Sequence, residues 1–169
     1  MERADKKSGT SWLLAAATSA YGYSGNKEQS ENMPNHWLLK TEPSTYAFAD
    51  LERDGSAVWD GVSNALALKH LRSMKQGDLA FVYHTGDERK IVGIAGVTRD
   101  PYPDPKGKDP RLVVVDLEPR ERLLRPVTLA EIKASVEFRD FELVRMGRLS
   151  VMPVSQSRWR KLLQMGTRS

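Results

Sequence analysis

The run Leu79 to His84 is apolar on both alternating faces up to its last position, and a strand of that kind must be covered on both sides. A polar hairpin loop, Asp87 to Lys90, leads from it into Ile91–Val97, where Gly93 and Gly96 interrupt the apolar residues. Glycines inside a strand mark bulges or strong curvature, which are the bends a small closed sheet needs. Before the run, Ala65, Leu68, Leu71 and Met74 recur at helical spacing, with Lys69, Arg72 and Lys75 on the other face. Gly61 permits a sharp turn after Trp59, Ser63 or Asn64 can cap the helix, and Gly77-Asp78 turns into the strand. If the strand folds back along the helix, Trp59 and Asn64 meet Tyr83 and His84 at one mouth. Two rings beside two polar groups suit a planar heterocycle, of which a nucleobase is the commonest.

The flanks complete an α+β pattern. Asn35 to Thr41 reads as a strand stopped by Pro43, with Leu38, Lys40 and Glu42 on one face and Trp37, Leu39 and Thr41 on the other. Lys40 and Glu42 at its exit are either a salt-bridged edge or a polar pair at a pocket rim. A short helix over residues 46–53 closes at Asp54-Gly55. Residues 100–110 hold four prolines and are expected to form an irregular exposed loop, with Lys106 and Lys108 available to phosphate. A Val-rich strand, 112–118, pairs through Pro119 with residues 122–124. Thr128 and Glu131 have capping-box spacing, with Val127 and Ile132 placed as a hydrophobic staple. Further elements are a helical piece over 138–146, a last strand over 148–154 and a closing helix from Ser155. The expectation is a single domain over 35–165 with a small curved sheet or barrel of about six strands and several short helices. Residues 1–34, rich in Ser, Gly, Asn, Lys and Glu, are expected to be a disordered extension.

Several chemistries are set aside. The chain has no Cys, which removes disulfides, Cys-ligated zinc and thiol catalysis. His36, His70 and His84 have no metal-ligand spacing, and no phosphate-loop, dinucleotide or nucleophile-elbow motif occurs. No metal or cofactor is therefore expected. No apolar run approaches the ~20 residues of a membrane helix. Asp60 and Asp78 each adjoin Gly, where turn hydrogen bonding outranks catalysis. Residues 120–169 hold 11 basic against 5 acidic residues, either a polyanion-facing side or a solvated basic helix face.

Taken together, His36 to Pro43, Trp59 to Val62, Asn64, Met74 to Asp78, Tyr83 to Thr85, Ile91 to Ile94, Pro103-Asp104 and Arg148 to Val154 resemble the EVE domain family, in family order over residues 35–165. The resemblance implies a PUA-like fold, a small mixed β pseudo-barrel flanked by short helices. It implies a binding module, not an enzyme, for a modified cytosine or adenine in DNA or RNA, flipped into an aromatic pocket. By position, Trp59 would be the stacking wall, with Asn64 and Lys40 or Glu42 on the base edge. Tyr83, His84 and Thr85 would form another wall, with Arg148 and Ser150 at the mouth. The partner expected is nucleic acid carrying modified bases, bound by a cytoplasmic monomer (nuclear in a eukaryote). This chain has Ser63 where the family usually has Arg, smaller Ala65-Leu66, Thr85 in place of Ser, and no Asn near Gly86, so altered ligand preference is expected. The alternatives are a glycosylase-like hydrolase using Glu42 or Asp60, and a module that takes an aromatic side chain of a protein partner.

Overall fold

The computed structural model describes residues 33–167. The expectation for residues 1–34 falls almost wholly outside them. In order, the elements are β1 (His36–Thr41), α1 (Phe48–Asp54), β2 (Ala57–Trp59), α2 (Ala65–Arg72), β3 (Leu79–His84), β4 (Lys90–Pro103), β5 (Val113–Thr128), α3 (Leu129–Ala134), a 3-10 turn (Val136–Phe138), α4 (Glu142–Arg145), β6 (Val151–Pro153) and α5 (Gln156–Thr167). The six strands form one sheet in the order β2-β5-β4-β3-β1-β6. All neighbours are antiparallel except β1 and β3, which run parallel with Lys40 opposite Tyr83 and Thr41 opposite His84. This is the α+β architecture with a small curved sheet that the sequence pattern predicts, and the PUA-like fold, here a half-barrel, that the EVE resemblance implies.

Three local features impose this arrangement. The carboxylate of Asp78, 4% exposed, accepts hydrogen bonds from the amides of Asn35 (3.0 Å) and Lys75 (2.9 Å) and from the Trp37 indole N–H (2.9 Å). It ties the turn before β3 to the start of β1 and so sets the parallel register. Register shifts along β4 and β5 fall between Ile91 and Gly93, Ile94 and Ala95, Val97 and Arg99, and Arg99 and Tyr102. These irregularities bend the two long strands. Finally, α2 packs against both β5 and β6, which lie toward opposite ends of the sheet order, so the sheet must curl to bring them to one helix.

Both faces of β1 and β3 are covered, as their composition requires. Leu38, Leu39, Phe81 and Val82 are all 1% exposed or less. On one face the Trp37 ring meets His70 of α2, and α1 sets Phe48 over Gly93. On the other, Trp159 of α5 stacks on His36 (4.3 Å) and Phe81 (3.9 Å). The Thr128–Glu131 capping box forms, with the Thr128 amide donating to Glu131 Oε2 at 2.9 Å and the Glu131 amide to Thr128 Oγ1 at 3.2 Å. Asn64 caps α2 through Oδ1, which accepts from the amides of Leu66 and Ala67 at 3.0 Å each.

Several boundaries differ from the expectation. Residues 100–103 are not irregular: β4 runs on to Pro103, because Tyr102 and Pro103 still pair with Val114 and Val113 of β5. The two expected strands over 112–124 are one strand, β5, which passes through Pro119 next to a register shift where a missing N–H is tolerated. β2, three residues long, is too short to show a period. The helical piece over 138–146 is a 3-10 turn and one turn of α4, separated at Arg139–Phe141.

Two outcomes follow for stability. A Cβ on Gly93 would lie 2.4–2.7 Å from the Phe48 ring, so Gly93→Ala should cost about 1–3 kcal/mol in urea unfolding. Gly147→Ala, with nothing within 4 Å, should cost little. Burial lowers the His36 pKa to about 4, with Arg160 adding to the shift and Asp78 opposing it. The unfolded chain takes up that proton near 6.5, so the stability His36 contributes is whole above that pH and lost as pH falls toward 4. His36→Phe, which keeps a ring on Trp159, should make the urea midpoint less pH-dependent over that window; an unchanged slope contradicts the assignment.

Candidate functional site

The parallel pairing of β1 with β3 brings two strand ends to the same level, and the alternation of side chains sorts what they carry. Lys40, Glu42, Tyr83 and Thr85 leave by one face. The Thr85 amide donates to the Thr41 carbonyl at 2.9 Å, extending the pairing one step past the strands. Thr85 Oγ1 then donates to Glu42 Oε2 at 2.9 Å, and the exposed Glu42 carboxylate also accepts from Ser44 Oγ at 3.2 Å. Beside it, Lys40 Nζ lies 5.8 Å from the centroid of the Tyr83 ring and donates to the Gly147 carbonyl at 2.9 Å. Burial lowers the Lys40 pKa and raises that of Tyr83. A partly desolvated ammonium over a buried phenol, with a carboxylate at the water's edge, is a rim able both to donate and to accept.

The segment leading into β6 forms the third side. The Lys40 amide donates to the Ser150 carbonyl at 2.9 Å, which places Gly147 to Ser150 along the rim. Among the described residues, neither the Arg148 guanidinium nor the Ser150 hydroxyl has a hydrogen-bond or ionic partner, and Arg148 is exposed. Lys40, Glu42, Tyr83, Thr85, Arg148 and Ser150 are thus brought together.

The remaining three residues singled out from the sequence lie elsewhere. His84 is next to Tyr83 in a strand and so faces the opposite side. There its Nε2 accepts from the Phe48 amide at 3.0 Å and its Nδ1 meets Glu88 Oε2 at 2.7 Å, so the ring positions the start of α1. Trp59 ends β2 and is only 8% exposed. It is linked to the rim by the turn after β1, in which the Glu42 carbonyl accepts from the amides of Thr45 and Tyr46, and the half-buried Tyr46 ring stands edge-on to the indole at 6.5 Å. Asn64 has its oxygen committed to the α2 cap, leaving only its amide N–H groups for a ligand.

Two residues escaped the sequence reading. Tyr46 carries a pKa raised to about 12, by burial and by its 3.0 Å hydrogen bond to Asp54. Pro43, which stops β1, was the available signal for the turn that places it. Arg89 has φ of 44°, a left-handed conformation rare for a bulky residue, held by the Leu129 amide donating to its carbonyl at 2.8 Å. Its charge acts on Tyr83, slightly opposing that ring's shift. The Pro-rich loop reaches the turn after Trp59, with Lys106 Nζ 4.0 Å from Asp60. Among the described residues no group of three His, Asp or Glu is placed to hold a metal ion, and no helix is long and apolar enough to cross a membrane.

Comparison with known proteins matches residues 35–165 to the EVE domain. Mouse thymocyte nuclear protein 1 is 29% identical over 173 residues, covering 82% of this chain and 76% of that protein. The NMR structure of a Rhodopseudomonas palustris protein is 39% identical with a TM-score of 0.75, over 78% of this chain and 92% of that one. The crystal structure of human thymocyte nuclear protein 1 in complex with DNA containing 5-methylcytosine is 27% identical, with a TM-score of 0.74 over 80% of this chain and 99% of that one.

Gly86 tests the rim. Its φ is +71°, and a Cβ there would lie 2.9 Å from Glu42 Oε2. Gly86→Ala should therefore cost about 1–2 kcal/mol in urea unfolding, and Gly86→Asn less, since Asn tolerates left-handed backbone. Equal midpoints for wild type and Gly86→Ala would contradict this geometry.

Proposed function

The chain belongs to the EVE domain family, and from that premise we propose that it binds nucleic acid carrying a modified base, without turnover, at the rim where β1 and β3 end. The observation that carries this reading is the convergence of Lys40, Glu42, Tyr83 and Thr85 with the Arg148 guanidinium and the Ser150 hydroxyl, which have no partner among the described residues. A base held by these side chains is read as extruded from its stack, at a cost of a few kcal/mol repaid by stacking and edge hydrogen bonds.

Modified cytosine in DNA is the first ligand to consider, because the similar human protein was crystallised with DNA containing 5-methylcytosine. A carboxylate accepts from the exocyclic amine of cytosine, which is the part for Glu42. Lys40 supplies a donor to the remaining edge, and Asn64, capping α2 away from the rim, would reach the ligand only outside that edge. The Tyr83 ring, 3% exposed with Lys40 Nζ 5.8 Å from its centroid, offers an apolar surface to the base once that ammonium swings aside. Tyr46 and Trp59 back the rim on the side of the turn, and the Trp59 ring becomes a stacking wall if the Tyr46 edge moves. Arg148 and Ser150 hold the flanking phosphate. His84 contributes by fixing α1 and hence that turn.

The test is equilibrium binding of matched oligonucleotides, with 5-methylcytosine or cytosine, single- and double-stranded. The wild type should prefer the modified form. Glu42→Gln should reduce the preference about tenfold or more, in line with the ~1–3 kcal/mol of a good edge contact. Arg148→Ala should weaken modified and unmodified DNA alike and leave the fold intact. No modification preference in any format would overturn the proposal, and release of free base on long incubation, lost in Glu42→Gln, would replace it with hydrolysis.

A further inference from the structure

An open cavity of about 640 Å³ lies away from the rim, lined by Glu137, Ser155, Ser157, Arg158, Arg160, Lys161 and Gln164. Its charge is lopsided. Three cations share it with one carboxylate, and that carboxylate is already 3.6 Å from Lys161 Nζ. The Arg158 guanidinium rests 5.4 Å from the Phe141 ring and has no ionic partner among the described residues. The Nε of Arg160 is buried and has no hydrogen-bond partner among the described residues. Like charges gathered around a hollow, one with a donor withdrawn from water and given nothing in return, form an arrangement that an anion completes.

Its place in the fold indicates which anion. Trp159, between Arg158 and Arg160, stacks on His36 at the start of β1 and on Phe81 of β3. Those residues share a face with Lys40 and Tyr83. Arg158 and Arg160, which flank Trp159 on α5, therefore lie on the same side of the sheet as the rim, and the start of β1 beneath Trp159 is about 13–20 Å from the rim at ~3.3 Å per residue. Phosphates of one duplex strand recur about every 3.4 Å of axis, so roughly four to six nucleotides span the gap.

We propose that this cavity is a phosphate-binding site for the backbone of the strand whose modified base occupies the rim. The inference rests on the reading of the rim as a nucleic-acid site. The basic excess of the last third of the chain then has a specific role, as a second, sequence-independent contact that fixes the orientation of the strand along β1.

The experiment compares full-length wild type with Arg158→Gln/Lys161→Gln, which leaves Arg160 and its buried Nε in place, and with the charge-matched control Lys69→Gln/Lys75→Gln on α2 and the turn after it, which cover the opposite face. Binding is measured against salt on a duplex of ~20 base pairs and on an oligonucleotide of about three nucleotides, too short to span both sites. On the duplex, the slope of log K against log salt should fall by about 1.8 in the cavity variant, ~0.9 per lost contact, with at least tenfold weaker binding. The control should change less than half as much, and the trinucleotide should bind both variants like wild type. An equal loss in the control, an equal loss on the trinucleotide, or no loss on the duplex overturns the proposal. It is also overturned if the cavity variant keeps its duplex affinity but loses stabilisation by inorganic phosphate, since the cavity then takes a free anion. Wild type that binds duplex without preferring the modified base defeats the reading of the rim alone, whereas wild type that binds no duplex defeats both.

Discussion

The carboxylate of Asp78 is the point on which the architecture turns. It is buried at 4% exposure and gathers donors from the start of β1 and from the turn before β3. A buried charge is tolerated only when its lone pairs are filled, and here two backbone amides and an indole fill them. Parallel strands lack a connecting hairpin to set their register, so a side-chain lock of this kind sets it instead. Slipping the pairing by one residue would exchange every side chain on β1 between the two faces. Lys40 and Glu42 would then leave the company of Tyr83 and Thr85.

From that register follows the division of labour between the two faces. One carries the helix-capping and helix-positioning contacts, with His84 beneath Phe48, Gly93 beneath the same ring and Trp37 against α2. The other carries the rim, with Trp159 at the far end of β1. The contrast in how side chains are used is informative. His84 and Asp78 are saturated with intramolecular partners, whereas Arg148 and Ser150 are not. Saturated polar groups hold a fold together, and unsaturated ones at a strand end are available to a ligand.

Much of this was legible in the sequence. The doubly apolar Leu79–His84 implied a covered strand, the glycines of β4 announced curvature, and Thr128 with Glu131 announced a helix start. Asp78 beside Gly77 was readable as a turn residue, although not its reach to Trp37. What escaped depended on long-range pairing. β2 has three residues and no period, and β4 and β5 run through prolines that lie within or beside their register shifts. Tyr83 and His84 are neighbours in a strand, so alternation alone separates them, but which face holds the rim is known only once β1 is paired with β3. Tyr46 and Arg89 sit in loops whose conformations depend on contacts distant in sequence, with Trp59 and Leu129.

The central claim is that the ends of β1 and β3, with the segment entering β6, form the surface that meets a modified base. Backbone amide resonances followed during titration with an oligonucleotide containing 5-methylcytosine test it most directly. The account predicts that the largest changes cluster at Lys40 to Glu42, Tyr83 to Gly86 and Gly147 to Ser150. Changes confined to α1, α2 and the Pro-rich loop, with those three segments unmoved, would contradict it.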